Sequence, residues 1–196
     1  MRSAYALLGF VWLLVFAALA WSFHPQDKSV DTISNTAMAT STLTLTSSTF
    51  ENGALIPSRY TCDEERDLNP PLSIAGVPEG ARSLALIMDD PDVPRALKPD
   101  GMFDHWVLFN IPPKTREIPE SASTGVAGVN GAGKNAYTGP CPPTQYEPSQ
   151  HRYFFKLYAL DVMLGLPEGS SKADVEQAMA GHIMAQAELL GLYKKK

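Results

Sequence analysis

Three stretches of the chain combine residue types that do chemistry. Asp89-Asp90-Pro91-Asp92-Val93-Pro94 puts three carboxylates within four positions, with Pro91 and Pro94 fixing the backbone around them. Crowded carboxylates can hold a cation, share a proton with a bound anion or orient a histidine, although the same run also suits a plain Asp- and Pro-rich turn. Asp104-His105-Trp106 opens an apolar run with one of only four histidines. An imidazole there can donate to an anion and, when protonated, attract it, or it can be purely structural. Tyr137-Thr138-Gly139-Pro140-Cys141-Pro142-Pro143 leads through a short loop to His151-Arg152-Tyr153. Its three prolines make a stiff, extended wall. Such a wall beside a His and a Tyr suits a preformed pocket for a small polar ligand, since little ordering remains to be done on binding.

Other chemistries are poorly served. Gly128-Val129-Asn130-Gly131-Ala132-Gly133-Lys134-Asn135 nearly matches a phosphate-binding loop, but Asn135 stands where a Mg²⁺-binding hydroxyl is required, and Gly139-Pro140 follows too soon for the helix the motif must open. No H-E-x-x-H spacing supports a metal site and no G-x-S-x-G elbow supports a seryl hydrolase, so no metal or cofactor is expected. With 16 basic against 21 acidic residues the net charge is −5. A nucleic-acid partner is excluded on that balance, because such affinity rests on many cationic contacts. An anion must then be captured locally.

The elements that would position these residues are mostly strands. Leu43 to Thr46, Ser83 to Met88, His105 to Ile111 and Tyr153 to Val162 are short apolar runs broken by Pro and Gly, which predicts a mainly β, two-sheet sandwich. One helix is predicted near the end, capped by Ser170 or Ser171, with Val175, Met179, Ile183, Ala187 and Leu190 as its buried stripe and Gly191 as its stop. Residues 1–23 read as an export segment that is either a cleaved signal peptide or an uncleaved membrane anchor, since the apolar run from Ala4 to Phe23 is long enough to span a bilayer while Ala18-Leu19-Ala20 offers a cleavage site. Residues 24–42 read as a Ser/Thr-rich tether, and 43–196 as one domain of ordinary size. The rest of the chain is expected outside the cytoplasm, soluble or tethered.

Taken jointly, Asp90 to Pro94, His105-Trp106, Gly139 to Pro143 and His151 to Asp161 give the sequence a resemblance to the phosphatidylethanolamine-binding proteins (Raf kinase inhibitor-like), in their bacterial and archaeal YbhB/YbcL branch. The likeness starts near Phe50, runs through Ile56-Pro57 and Tyr60-Thr61-Cys62-Asp63, and ends at Gly181-His182-Ile183 and Glu188-Leu189. It implies a two-sheet antiparallel β-sandwich with short helices and a C-terminal α-helix, holding a non-enzymatic pocket for a small anion or a phospholipid headgroup. Asp90, His105, His151 and Tyr153 would line that pocket, with Pro94, Trp106, Pro140 and Pro142 as walls. The resemblance also suggests a second reading, a regulatory protein that inhibits an envelope or extracellular protease. The sequence departs from the family pattern at Glu64, where a Gly is usual, and at Ile74, where a Trp is usual, which puts the polar contacts of that segment in doubt. Cys62 and Cys141, the only cysteines, both fall near the implied site. In an exported protein such a pair is expected to form a disulfide.

Overall fold

The computed structural model describes residues 42–65, 67–122 and 124–196. The export or anchor segment and all but the last residue of the tether lie outside the described residues. In chain order the strands are β1 (Thr44–Ser47), β2 (Ala54–Leu55), β3 (Leu72–Ala75), β4 (Ser83–Asp90), β5 (Phe103–Ile111), β6 (Glu117–Ile118), β7 (Val126–Ala127), β8 (Gln150–Leu160) and β9 (Ile183–Lys194). Among the described residues the single α-helix is α1 (Lys172–Met179), and Ser58–Tyr60 forms a 3-10 turn. No helix among them is long and apolar enough to cross a membrane.

A small sheet, β1-β3-β6, faces a large one ordered β2-β9-β8-β4-β5-β7. Side chains alternate along each strand, so one face of the large sheet supplies Leu84, Leu86, Met88, Trp106, Leu108, Tyr153, Phe155, Leu157 and Leu189 to a core that Leu45, Leu72, Ile74 and Ile118 close from the small sheet. The other face carries Ala85, Ile87, Val107 and Phe109, which α1 covers with Val175 and Met179. Asp90 and its partners therefore stand at the open end of the sandwich, and Asp89 stands on the α1 side.

The predicted strands are present, but two expectations need correction. The sandwich is not wholly antiparallel, because β2 runs parallel to β9 at the edge of the large sheet, with Ala54 opposite Gly191 and Leu55 opposite Leu192. This edge is built around Gly191, where a Cβ would come within 2.5 Å of Ile56 Cγ1. The second correction concerns the C-terminal helix. It ends at Met179, and Gly181, at φ 82°, turns the chain into β9, which pairs with β8 from Ile183↔Leu160 to Lys194↔Gln150. Val175 and Met179 are buried as expected, but Ile183 is 44% exposed, Ala187 and Leu190 are strand residues, and Gly191 lies inside a strand instead of stopping a helix. His182 sits in the intervening turn, where its Nδ1 meets Asp161 Oδ1 at 2.8 Å.

The start of α1 follows the sequence. The Ser171 hydroxyl accepts from the Asp174 N–H at 3.2 Å, and the Asp174 carboxylate accepts from the Ser171 N–H at 3.0 Å. Ser171→Ala removes half of this reciprocal cap and is expected to cost about 1 kcal/mol of stability by denaturant titration. An unchanged midpoint would show that packing alone holds the helix end.

Candidate functional site

A cavity of about 370 Å³ opens at the end of the sandwich where β4, β5 and β8 meet. Asp90 at the end of β4, His105 near the start of β5 and His151 near the start of β8 all line it. Pro142 and Pro143, with Cys141, form one wall, and Val93, Leu97, Lys98, Phe103 and Gly131 complete the lining.

His105 reaches the cavity through a break in the ladder. Met88 pairs with Trp106 but Asp89 pairs with Asp104, so the register shifts and His105 is the extra residue of a β-bulge. Bulges re-aim side chains in this way at the edges of sites. Beyond the bulge Phe103 pairs with Asp90 and shares its side of the sheet, while Asp104 joins Asp89 on the side of α1. The His105 Nδ1–H donates to the Thr138 carbonyl at 2.5 Å, which ties the strand to the Pro-rich loop.

The acidic run does not act as one cluster. Each carboxylate has its own cationic or imidazole partner. Asp89 takes Lys156 at 2.9 Å and Lys172 at 2.8 Å on the α1 side. Asp92 accepts a two-pronged contact from Arg152, at 2.9 Å from Nε and 2.7 Å from a terminal nitrogen, and these hydrogen bonds hold its carboxyl below the ordinary range. Asp90 alone turns to the cavity. Its Oδ1 accepts from the Asp92 N–H at 2.8 Å and its Oδ2 from His151 Nδ1–H at 2.7 Å. Both side chains of the Asp90–His151 pair are almost wholly buried, at 4% and 0% exposure.

A carboxylate can only accept, so neutral His151 must carry its proton on Nδ1 and show a lone pair at Nε2. That Nε2 and the Tyr153 hydroxyl are buried polar atoms with no hydrogen-bond partner among the described residues. Tyr153 does not line the cavity itself. Its ring stacks on His151 with centroids 6.4 Å apart and meets the His105 ring edge-on at 5.2 Å. Burial first, then the charge of Asp90, pushes its hydroxyl far above the ordinary tyrosine value, so it stays a neutral donor.

Among the residues expected from the sequence, the structure brings Asp90, His105, His151 and Pro142 together around the cavity and places Tyr153 directly against the two imidazoles. Three others do not line it. Trp106 points into the core, edge-on to Tyr137 at 5.5 Å. The Pro94 carbonyl accepts from the N–H groups of Leu97 and Lys98, turning the loop that brings those two residues to the mouth. The Pro140 carbonyl accepts from the Cys62 N–H at 3.0 Å. The near-match to a phosphate loop opens no helix. The Asn130 side chain folds it by accepting from the N–H groups of Ala132 and Lys134, and Gly131 lies in the lining, packed so close to Phe103 that a Cβ would come within 2.9 Å of its ring. Neither Glu64 nor Ile74 lines the cavity, and Ile74 is core. Cys62 and Cys141 are joined in a disulfide, with Cα atoms 5.3 Å apart.

The arrangement of an Asp–His pair, a second histidine and a proline wall at one end of a two-sheet sandwich can be set beside known proteins. The sequence profile described as phosphatidylethanolamine-binding protein matches residues 46–194. The chain belongs to the phosphatidylethanolamine-binding protein family. Relatives in this family include a UPF0098 protein of Methanothermobacter thermautotrophicus, 48% identical over 74% of this chain and 95% of its own length, and one of Chlamydia trachomatis, 45% identical over 77% and 98%. A crystal structure of a phosphatidylethanolamine-binding protein homologue from Chlamydia trachomatis matches with a TM-score of 0.75 at 43% identity, covering 80% of this chain and 99% of that one. The structure of E. coli YbcL, described as a member of the mammalian family, matches with a TM-score of 0.69 at 27% identity, covering 79% and 99%. The phosphatidylethanolamine-binding protein fold thus accounts for both sheets and the one α-helix among the described residues.

Proposed function

We propose that this domain is a non-enzymatic binding module whose cavity holds a small oxyanion, free or as the phosphate of a headgroup. The observation that carries the reading is the buried, unpartnered Nε2 of His151, a residue of the cavity lining, with the unpartnered Tyr153 hydroxyl on the ring packed against both imidazoles. A buried polar atom without a partner costs about 1–3 kcal/mol, a cost that an oxyanion bound at His151 Nε2 would offset. Lys98 adds positive charge to the lining, its ammonium 5.8 Å from the Phe103 centroid and 3.6 Å from Asp100 Oδ2, which offsets part of that charge. Neutral His151 accepts at Nε2, so an oxyanion is held best when a proton lies between them, carried either by the imidazole or by the ligand's own O–H.

The Cys62–Cys141 bond supports the expectation that the domain works outside the cytoplasm, where disulfides persist. The N-terminal apolar run would take it there and, if retained, would hold it at a membrane.

Calorimetric titration with inorganic phosphate and with phosphoethanolamine tests the reading. His151→Ala removes a charge-assisted hydrogen bond of about 1.5–3 kcal/mol and should weaken phosphate binding by about 10- to 100-fold. Absence of binding to either probe by the unaltered protein would refute the proposal.

A further inference from the structure

Cys141 is both a half-buried disulfide partner and part of the cavity lining. The wall that it begins is held in an unusual way. Pro140, Pro142 and Pro143 have no N–H, and among the described residues no hydrogen bond runs from Cys141, Pro142 or Pro143 to another segment of the chain. Upstream the loop is well tied. His105 donates to the Thr138 carbonyl, the Thr138 N–H donates to the His105 carbonyl at 3.0 Å, and Tyr137 Oη–H donates to the Tyr60 carbonyl at 2.9 Å. The Cys62 side is also fixed, because the Thr61 N–H and hydroxyl both donate to the Ser58 carbonyl and Tyr60 is buried in the core. The covalent bond therefore spans from an anchored turn, whose Cys62 N–H also holds the Pro140 carbonyl at 3.0 Å, to residues 141–143, which have no hydrogen bond of their own to another segment among the described residues.

We propose that the Cys62–Cys141 disulfide is a redox latch on the cavity, closed when oxidised and loosened by a dithiol reductant so that the bound oxyanion is released. A thiolate of the reductant attacks one sulfur and expels the other as a thiolate. The reductant's second thiol then resolves the mixed disulfide, leaving two Cys thiols and an oxidised dithiol, with two electrons and two protons transferred to the protein. Both cysteines are partly exposed, so a small dithiol reaches the bond. Freed of it, the 141–143 wall moves relative to His151 and Asp90, and the cavity loses the preorganisation that lowers the cost of binding. Coupling runs both ways, so bound ligand makes the bond harder to reduce by the same factor that reduction weakens binding, about 30 mV per tenfold.

The proposal rests on the cavity binding an oxyanion, and its test separates the two ideas. Phosphate affinity of the full chain is measured oxidised, then after reduction by dithiothreitol, with amide NMR spectra reporting the fold in each state; Cys62→Ser/Cys141→Ser serves as a second reduced-like form. The expected result is a drop of tenfold or more in affinity with a native spectrum outside the 138–146 loop, and a lower midpoint reduction potential in saturating phosphate. Equal affinity in both states overturns the latch and leaves the binding reading intact. A spectrum that collapses on reduction also overturns it, since the bond is then a staple of the whole fold. If the oxidised protein binds no phosphate, the binding reading fails and the latch falls with it.

Discussion

Replacing Asp90 by Asn is expected to reverse the cavity's choice between phosphate and sulfate at about pH 8. Asp90 accepts two hydrogen bonds, one from the Asp92 N–H and one from His151 Nδ1–H, and Asn has one oxygen for the two. An amide NH₂ turned to the Asp92 N–H would set donor against donor, and a backbone N–H cannot change. Turned to His151, it is accommodated if the imidazole proton moves from Nδ1 to Nε2. Neutral His151 in the variant therefore shows the cavity an N–H where the unaltered protein shows a lone pair. Phosphate at this pH keeps an O–H to donate to that lone pair; sulfate has none. A mismatched hydrogen bond to a charged group is worth about 1.5–3 kcal/mol, so the unaltered protein should prefer phosphate by about 10- to 100-fold. The variant should bind sulfate at least as well as phosphate, and ¹⁵N shifts of the His151 ring should report the tautomer. Lys98, His105 and Tyr153 are present in both proteins, so a phosphate preference that survives in the variant would place the selectivity elsewhere.

Much of this site was legible before the fold. Asp90, His105, His151 and Pro142 sit in the stretches where scarce histidines, carboxylates and prolines coincide. What escaped notice is the lining without such a signature. Val93, Leu97, Lys98 and Phe103 come from the β4–β5 connection and the start of β5, and their convergence depends on the Pro94 turn and on the register shift at His105. A bulge is one extra residue in a ladder, and nothing in a local sequence window marks it. Trp106 faces the core for a simpler reason: it pairs with Met88 before the register shifts, and alternation with Leu108 sets it beside Tyr137.

The helix that became half a strand has a different origin. Residues 175, 179, 183 and 187 are spaced by four, which keeps a residue on one face of a helix and equally on one face of a strand. The decisive sign is the two-residue alternation of Ala185, Ala187, Leu189, Gly191 and Tyr193, all facing the core side of β9. Gly181 was available as a stop, and β8, the longest strand predicted, needed a partner along its free edge. Pairing with β8 over the length of β9 outweighs a helical preference of a few tenths of a kcal/mol per residue.

Asp89→Ala is expected to be among the most destabilising single changes in the domain, at about 3–5 kcal/mol, although it adjoins the residue on which binding depends. Strand alternation sends the two neighbours to opposite faces, Asp90 to the cavity and Asp89 beneath α1. There Asp89, 1% exposed, holds Lys156 and Lys172, and Lys172 also meets Asp104 at 3.1 Å. Burial works against the Lys172 ammonium, yet the hydrogen bond and charge of Asp89, with Asp104 adding to them, hold its pKa above the ordinary lysine value. A raised pKa means that this contribution is fully present below the unfolded value of about 10.4 and is lost as pH rises through the folded one. Truncating Asp89 leaves two lysine stems beside a sheet with one acceptor fewer and uncouples the start of α1 from β4. Asp89→Asn keeps an acceptor and should cost less. In denaturant titrations near neutral pH, Asp89→Ala should lower the midpoint steeply while phosphate affinity of the folded fraction stays near that of the unaltered protein, whereas Asp90→Asn should shift the phosphate-to-sulfate ratio and move the midpoint less. If Asp89→Ala unfolds within about 1 kcal/mol of the parent, the buried Lys–Asp network is not what fastens the helix, and the apolar contacts of Val175 and Met179 suffice.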